Sequence, residues 1–456
     1  QKPDGDDSEF AFPAIATFKN VTDFKNHLQT IDPDLCCATD VPSAGLAMAQ
    51  SIAIGGRTLN NRWAVHPMEG WDATNDGKPS ADTLRRWYNF GLSGSALIWG
   101  GEAYAVCPEG RANPNQLHQG SNSDLLGTMQ ALMSELRRGQ AASGIASEET
   151  FVGLQLTHSG RWARPTSAGA EPLTMFRDDF LDERVGVIDD SCLLSDEDLQ
   201  ELPALYARAA TNAQAAGFDF VDIKCCHGYL LHEALSAFNR PGQYGGSFEN
   251  RTRLFCEIVA AVRGACPDLE IGVRLSVSDD RDNPFDEADE FISLLEALGI
   301  RLVNQTIGSP YYCPHVQRPA AFAPCDGVSP TSDPLYSVAA HIQSARKLKH
   351  AHPNMIFVGT GYTYLQEYAP AVAEYEVANN HVDFVGLGRM ILSYPEMARD
   401  HLAGKEFQRK RVCRTFSDCT TAPRNGMKSG CYPLDPEYRA RPEAKKVRGL
   451  RPPPAK

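Results

Sequence analysis

Eight short apolar runs recur along the chain, each separated from the next by a stretch long enough to hold a helix. They are "RWAVHP" (62–67), "SALIWG" (95–100), "FVGLQL" (151–156), "DFVDIK" (219–224), "IGVRLS" (271–276), "RLVNQT" (301–306), "MIFVGT" (355–360) and "DFVGLG" (383–388). The intervening stretches carry helical periodicity. "SDEDLQELPALYARAATNAQAAG" is one, and it opens with Ser195 and Asp198 in capping-box spacing. A parallel strand needs a long crossover, so strands alternating with helices predict a parallel sheet. Eight such units predict a closed (β/α)8 TIM barrel. A doubly wound sheet is the runner-up, but no strand–GxGxxG–helix turn is present, and "GLGRM" does not supply one. The barrel is expected over residues 49–404, with an N-terminal extension over 1–48 and a cysteine-containing extension and tail over 405–456.

Charge and composition narrow the function. The net charge is −13 with no basic stripe, which argues against nucleic acid as the main partner and leaves room for a local anion site. No apolar run reaches the roughly 18 residues of a membrane span. The polar, acidic start "QKPDGDDSEF" is not an intact signal peptide, and without Met it reads as trimmed, so an exported origin stays open. Thirteen cysteines in a chain this long read as mostly reduced thiols in a cytoplasmic-type compartment. The stretch "SEFAFPAIATFKNVTDFKNHLQTI" holds one short amphipathic helix, expected to pack on the barrel or on a neighbouring subunit of a homo-oligomer. Nothing suggests a Ser-His-Asp set.

In a TIM barrel the active site lies at the C-terminal ends of the strands. The fourth run exits into Lys224, Cys225, Cys226, His227 and Tyr229. The other exits carry His66, Glu69, Trp71, Gly101, Glu102, Gln155, His158 and Arg274. One such residue alone is ordinary rim. Eight exits with polar or glycine residues together need partners, because buried polar groups do.

At these residues the chain resembles the old yellow enzyme superfamily of FMN-dependent oxidoreductases, nearest the branch containing 2,4-dienoyl-CoA reductase and trimethylamine dehydrogenase. The resemblance runs from about residue 50 to 400. It rests on "TLNNRWAVHPM", "GLQLTHSGR", "GFDFVDIKCCHGYLLHEALSAFNRPGQYGGSFENRTRL", "IGVRLS" and "DFVGLGRMILSYPE". It implies FMN as cofactor and NAD(P)H as co-substrate, with a redox partner protein as the other source of electrons. Gly359, Gly361, Gly388 and Arg389 match the phosphate cradle, where glycines let backbone N–H groups approach. Arg274 matches the cation beside N1 and O2 of the reduced flavin, and Gln155 the donor and acceptor at its pyrimidine edge. Pro67, Met68, Glu69 and Gly101 match positions around the ring. Tyr229 matches the tyrosine that protonates an activated alkene after hydride transfer, and His227 one of two residues gripping the substrate carbonyl.

Two positions depart from the family. Where a histidine is usual, this chain has Lys224, which either stabilises an enolate or pairs with Asp222 on its own strand face. After Pro-Met it has Glu69, where relatives carry Thr or Cys. A carboxylate there lowers the flavin potential unless it is protonated, paired with Lys224 or turned away. Trp71 and Tyr104 are expected as an aromatic wall over a small-molecule substrate. "YYCPHVQRPAAFAP" reads as an active-site loop. The reaction expected is hydride transfer to a conjugated C=C bond. The alternatives are dehydrogenation of an amine or alcohol-bearing substrate, and an electron-transfer subunit of a larger complex.

The tail breaks the pattern further. The related branch binds a [4Fe–4S] cluster with four cysteines. Here Cys413, Cys419 and Cys431 align with three of them, and Phe416 stands at the fourth. Three readings stand: a cluster with Asp418 as nearest substitute ligand, another metal such as zinc, or thiols that merely pack. Relatives with clusters relay electrons to a further C-terminal region, and this chain ends at Lys456 without one. The expectation is therefore packed thiols without a functional cluster, followed by a disordered basic, Pro-rich end, "RPEAKKVRGLRPPPAK".

Overall fold

The computed structural model describes residues 12–40, 45–120, 124–278, 287–325, 327 and 329–452. The acidic start and the last four residues lie outside them. Among the described residues there are eleven strands: β1 Ile52–Ile54, β2 Arg57–Leu59, β3 Trp63–Val65, β4 Leu97–Ile98, β5 Ala103–Ala105, β6 Phe151–Thr157, β7 Phe220–Cys225, β8 Glu270–Ser276, β9 Leu302–Thr306, β10 Ile356–Gly359 and β11 Phe384–Leu387. Strands β3 to β11 form one parallel sheet that closes on itself, because β4 pairs with β6 as well as with β3. Each of the eight apolar runs supplies a stave, and the fold is a (β/α)8 barrel.

The second stave is broken. β4 ends at Ile98 and β5 resumes at Ala103, both paired to β6, with Gly100 and Gly101 at positive φ between them. The antiparallel hairpin β1–β2 closes the N-terminal end of the barrel. Its Ile54 and Leu59 pack with residues at the start of the staves, among them Leu97, Phe151, Phe220, Leu302 and Phe384. Strand alternation then fixes the interior. From β7, Phe220 joins that inner apolar layer, whereas Val221, Ile223 and Cys225 join the core between barrel and helices. Asp222 and Lys224, in phase with Phe220, therefore face inward.

Capping starts the helices where the sequence indicates. Ser195 Oγ accepts from Asp198 N, and Asp198 Oδ2 accepts from Ser195 N, at the head of Asp196–Ala215. The N-terminal helix Val21–Ile31 lies against the barrel, with Phe24 stacked on Tyr368 at 4.4 Å. No helix among the described residues is long and apolar enough to cross a membrane.

The end of the chain corrects an expectation. The basic tail is helical at Pro436–Arg439 and Glu443–Gly449. Val447 is fully buried with Ala422, Tyr432 and Tyr438. Arg441 and Lys428 pair with Asp82, Arg85 with Asp435, and Arg451 with Asp418. A few well-placed apolar and acidic partners order a segment whose average composition favours disorder.

Candidate active site

The registers set five inward side chains on neighbouring strands. Gln155 pairs in register with Asp222, and Lys224 with Arg274, which in turn pairs with Asn304. Above them lies a cavity of about 240 Å³ at the C-terminal ends of the strands. Its lining includes His66, Pro67, Met68, Glu69, Trp71, Gln155, Lys224, His227, Tyr229, Arg274, Gly361, Gly388 and Arg389.

Beneath the cavity, Asp222 organises the base. It accepts from Trp99 Nε1 at 2.9 Å, Gln155 Nε2 at 2.6 Å and the backbone N of Arg274 at 2.7 Å. Burial nonetheless pushes its carboxyl up to about 6. This arrangement rules out the Lys224–Asp222 pair and aims the Gln155 side chain by its amide nitrogen.

Arg274 is buried, and Nη1 donates weakly to the Pro67 carbonyl at 3.3 Å. Its Nε has no hydrogen-bond partner. No ion pair between Arg274 and a carboxylate forms among the described residues. A buried cation with an orphaned donor at a cavity wall calls for an anionic partner. Lys224 and Arg389 line the same space, so the cavity concentrates positive charge in an acidic chain. Gly361, at φ 97°, and Gly388 border it without side chains. These residues fit FMN. Arg274, Gln155, Gly388 and Arg389 all stand on the wall of the cavity and would be the residues to hold it.

His66 shows why a further glycine stands at 386. A Cβ there would fall 2.1 Å from the imidazole. The ring sits between Asn304 Nδ2 at 3.1 Å and Thr360 Oγ1 at 3.3 Å. Burial and Arg274 lower its pKa well below the ordinary histidine value, so it is neutral.

The exit of β7 carries the densest chemistry. His227 takes φ 64°, a left-handed turn of order 1–3 kcal/mol in strain. Ser276 Oγ holds its backbone N at 3.2 Å, and Gln317 Nε2 lies 3.3 Å from its Nε2. Burial, then Arg274 and Lys224, keep this imidazole neutral too. The Tyr229 hydroxyl donates to Glu69 Oε1 and lies 3.0 Å from the Tyr311 hydroxyl. Lys224 Nζ is 3.4 Å from the same Glu69 oxygen and 3.7 Å from the Tyr229 ring centroid. Trp71 Nε1 donates to Glu69 Oε2 at 3.0 Å. Burial, then Glu69 and Tyr311, raise the Tyr229 pKa well above the phenol range. Glu69 therefore faces the tyrosine and lysine instead of turning away.

Three assignments move. Tyr104 is buried in the core between barrel and helices and does not line the cavity. The break at 99–102 resets the stave, and Tyr104 falls on the outward face. Tyr311, stacked on Trp162 at 4.0 Å, supplies the aromatic wall with Trp71 instead. Gly101 is packed under Phe90 and Trp87, and its carbonyl accepts from Arg86. Gly359 precedes the lining residues Thr360 and Gly361 and is not itself at the surface of the cavity.

The tail closes the site. Cys419, Thr420, Pro423, Arg424 and Ser429 line the cavity beside Tyr311, Gln317, Arg318 and Pro319 of the loop after β9. The sequence marks the loop as part of the site, whereas no spacing or motif links the tail to the cavity. Cys413, Cys419 and Cys431 all border a smaller adjoining cavity with Arg389 and Phe416. Burial raises all three thiol pKa values. Asp418, the nearest substitute ligand, is engaged by Arg451 at 2.7 and 2.8 Å. Among the described residues no group of three or more His, Cys, Asp or Glu side chains is arranged to hold a metal ion.

The chain is similar to several known proteins. Over 347 residues it is 28% identical to an NADPH dehydrogenase of Bacillus velezensis, covering 75% of this chain and 90% of the relative. Over 211 residues it is 34% identical to 12-oxophytodienoate reductase 1 of Oryza sativa subsp. japonica, covering 44% and 48% of the two chains. In fold it resembles a 2-naphthoyl-CoA reductase, with a TM-score of 0.66, 16% identity and coverage of 88% of this chain and 58% of that one. It resembles histamine dehydrogenase from Rhizobium sp. 4-9 at 0.63, 19%, 84% and 52%. The chain thus spans little more than half of each of those solved chains. The model of the NADH:flavin oxidoreductase / NADH oxidase family matches residues 48–406. With the barrel, the inward arginine and the glycine-bordered cavity in place, the chain belongs to that family, the FMN-dependent oxidoreductases of the old yellow enzyme type.

Proposed function

We propose that the protein reduces a C=C bond conjugated to an electron-withdrawing group, with NAD(P)H as electron donor and Tyr229 as proton donor. Bound FMN supplies the hydride. The observation that carries the reading is the convergence of Tyr229, His227 and Lys224 on one wall of the cavity that Arg274 and Gln155 also line. Neutral His227 and cationic Lys224 are suited to hold a substrate carbonyl and stabilise the enolate that forms on hydride addition. A phenol raised by burial stays protonated, as a donor must. Trp71 and Tyr311 exclude water beside it. Gln317 and Ser276 hold His227 in its left-handed turn.

A second reading, oxidation of an amine, draws on Glu69, an anion among Trp71, Tyr229 and Tyr311 that suits a cationic substrate. Anaerobic mixing separates the two. Enzyme reduced by NADPH and reoxidised rapidly by 2-cyclohexenone supports alkene reduction. Oxidised enzyme bleached by primary or tertiary amines, with no response to enones, overturns it.

A further inference from the structure

We propose that Glu69 restores the proton that Tyr229 delivers, so that the two work as a relay between the buried cavity and water; this rests on the reading of Tyr229 as proton donor. Tyr229 is only 2% exposed, and its hydroxyl faces two groups, Glu69 and Tyr311. A phenolate forming there during proton delivery would be a buried, unsolvated charge, so a second proton must reach the oxygen as the first one leaves. Tyr311 is a poor source, because burial and Glu69 push its own phenol far up. Lys224 lies over the Tyr229 ring face, 3.7 Å from its centroid, and its ammonium contact is with Glu69 at 3.4 Å. Glu69 touches the hydroxyl directly, and its side chain keeps 15% exposure, enough to meet water.

The surroundings hold Glu69 in that place. Trp71 Nε1 fixes Oε2 at 3.0 Å. Behind it, the backbone N of Gly70 donates to buried Glu102 Oε1 at 3.1 Å. Glu102 is paired with Arg86, which also grips Asp72 at 2.9 and 3.1 Å. A Cβ at Gly70 would fall 1.9 Å from Arg86 Nη2, so only glycine lets the loop lie on that ion-pair cluster. The titratable and charged groups facing Glu69 are Lys224, Cys226 and Tyr229 from the exit of β7, and Tyr311 from the loop after β9, with Glu102 and Arg86 beneath its own loop.

The proton steps balance. Bound reduced FMN would supply the hydride for the C–H bond at the β-carbon, the substrate's C=C π bond breaking as it forms and NADPH later restoring the two electrons to the flavin. The Tyr229 O–H bond breaks as the C–H bond at the α-carbon forms. The carboxylic O–H of Glu69 breaks as the Tyr229 O–H is remade, and Glu69 carboxylate then takes a proton from water. The Tyr229 hydroxyl donates to Glu69 Oε1, and delivery reverses that hydrogen bond, Glu69 donating to the phenol oxygen as the phenol proton goes to substrate.

The test uses the FMN-loaded full chain, reduced anaerobically with NADPH and mixed with 2-cyclohexenone in H2O and D2O mixtures. In Glu69→Gln we expect FMN to be retained, read from the flavin absorbance of the purified protein. Reoxidation should slow on the order of 10-fold or more. The dependence of its rate on deuterium fraction should change from curved in the wild type, two protons in flight, to linear. Glu69→Asp, which keeps an acid, should retain the curvature. A Glu69→Gln enzyme that reoxidises at the wild-type rate with the same curvature overturns the relay and leaves Tyr229 as donor. A wild type that no enone reoxidises overturns the alkene-reduction reading and the relay with it.

Discussion

The floor and the roof of the cavity are built differently. The floor is a set of inward strand positions whose heights follow from hydrogen-bonded register: Gln155 beside Asp222, and Lys224 beside Arg274. The roof is the C-terminal extension, which brings Cys419, Thr420, Pro423, Arg424 and Ser429 to the same space. It is tied down by a small cluster around Val447 and by partly exposed ion pairs to the helix Ala81–Leu92, such as Arg85 with Asp435 at 2.7 Å and Lys428 with Asp82 at 2.6 Å. Pairs of that kind are worth roughly 0–1 kcal/mol each. Gln155, Asp222, Lys224 and Arg274 are therefore expected to move only with the barrel. The cover, held by fewer and weaker contacts, is expected to separate locally.

That contrast orders the expected effects. Arg274→Ala removes the buried cation facing the cavity. FMN affinity should fall by about 10²- to 10³-fold, the cost of stranding one side of a buried charged contact, as read by flavin fluorescence during dilution. Unchanged affinity would remove Arg274 from the flavin site and break the contrast at its floor.

Asp222→Asn probes the floor through pH. The folded carboxyl titrates at about 6 against an ordinary value of 3.8. A group raised in this way contributes stability that is fully present below the ordinary value and is lost as pH rises through the folded one. Wild-type stability should therefore lose up to roughly 3 kcal/mol from this group as pH passes from below the usual carboxylate range to above 6. The Asn variant should show a flatter profile in denaturant titrations at a series of pH values. Parallel profiles for the two proteins would contradict this.

The roof should respond more weakly and separately. Val447→Ala, in the cluster with Tyr432 and Tyr438, should cost the tail about 1–2 kcal/mol. Limited proteolysis should then cut near Arg441 and Lys445 while FMN stays bound. Flavin loss in step with cleavage would show that floor and roof are one unit. Asp82→Asn removes the partner of both Arg441 and Lys428 and should cost less than about 1 kcal/mol, an effect that shrinks further in high salt.

The same contrast explains what the sequence made legible. Strand period and exit position identify Gln155, Lys224, Arg274 and the cluster at 224–229, because a parallel barrel turns those patterns into depth and direction. Tyr104 escapes that logic, since the break at Gly100 and Gly101 resets which face follows. Roof contacts escape it too. Arg85 and Asp435 are 350 residues apart, and no periodicity links such a pair. The tail's order hangs on single residues, such as Val447 against Tyr438 and Arg451 on Asp418, which average composition hides. The pairing of Glu69 with Tyr229 depends on how the loop after β3 lies on Arg86 and Glu102, a contact set by packing and not by spacing.

The most direct measurement compares the two half-reactions of Tyr229→Phe by anaerobic stopped-flow. Reduction of the bound flavin by NADPH should keep its wild-type rate, because the phenol takes no part in it. Reoxidation by 2-cyclohexenone should slow by ~10²-fold or more, the usual contribution of a positioned acid. Reoxidation at the wild-type rate, with reduction also unchanged, would contradict the account of Tyr229 as the proton donor.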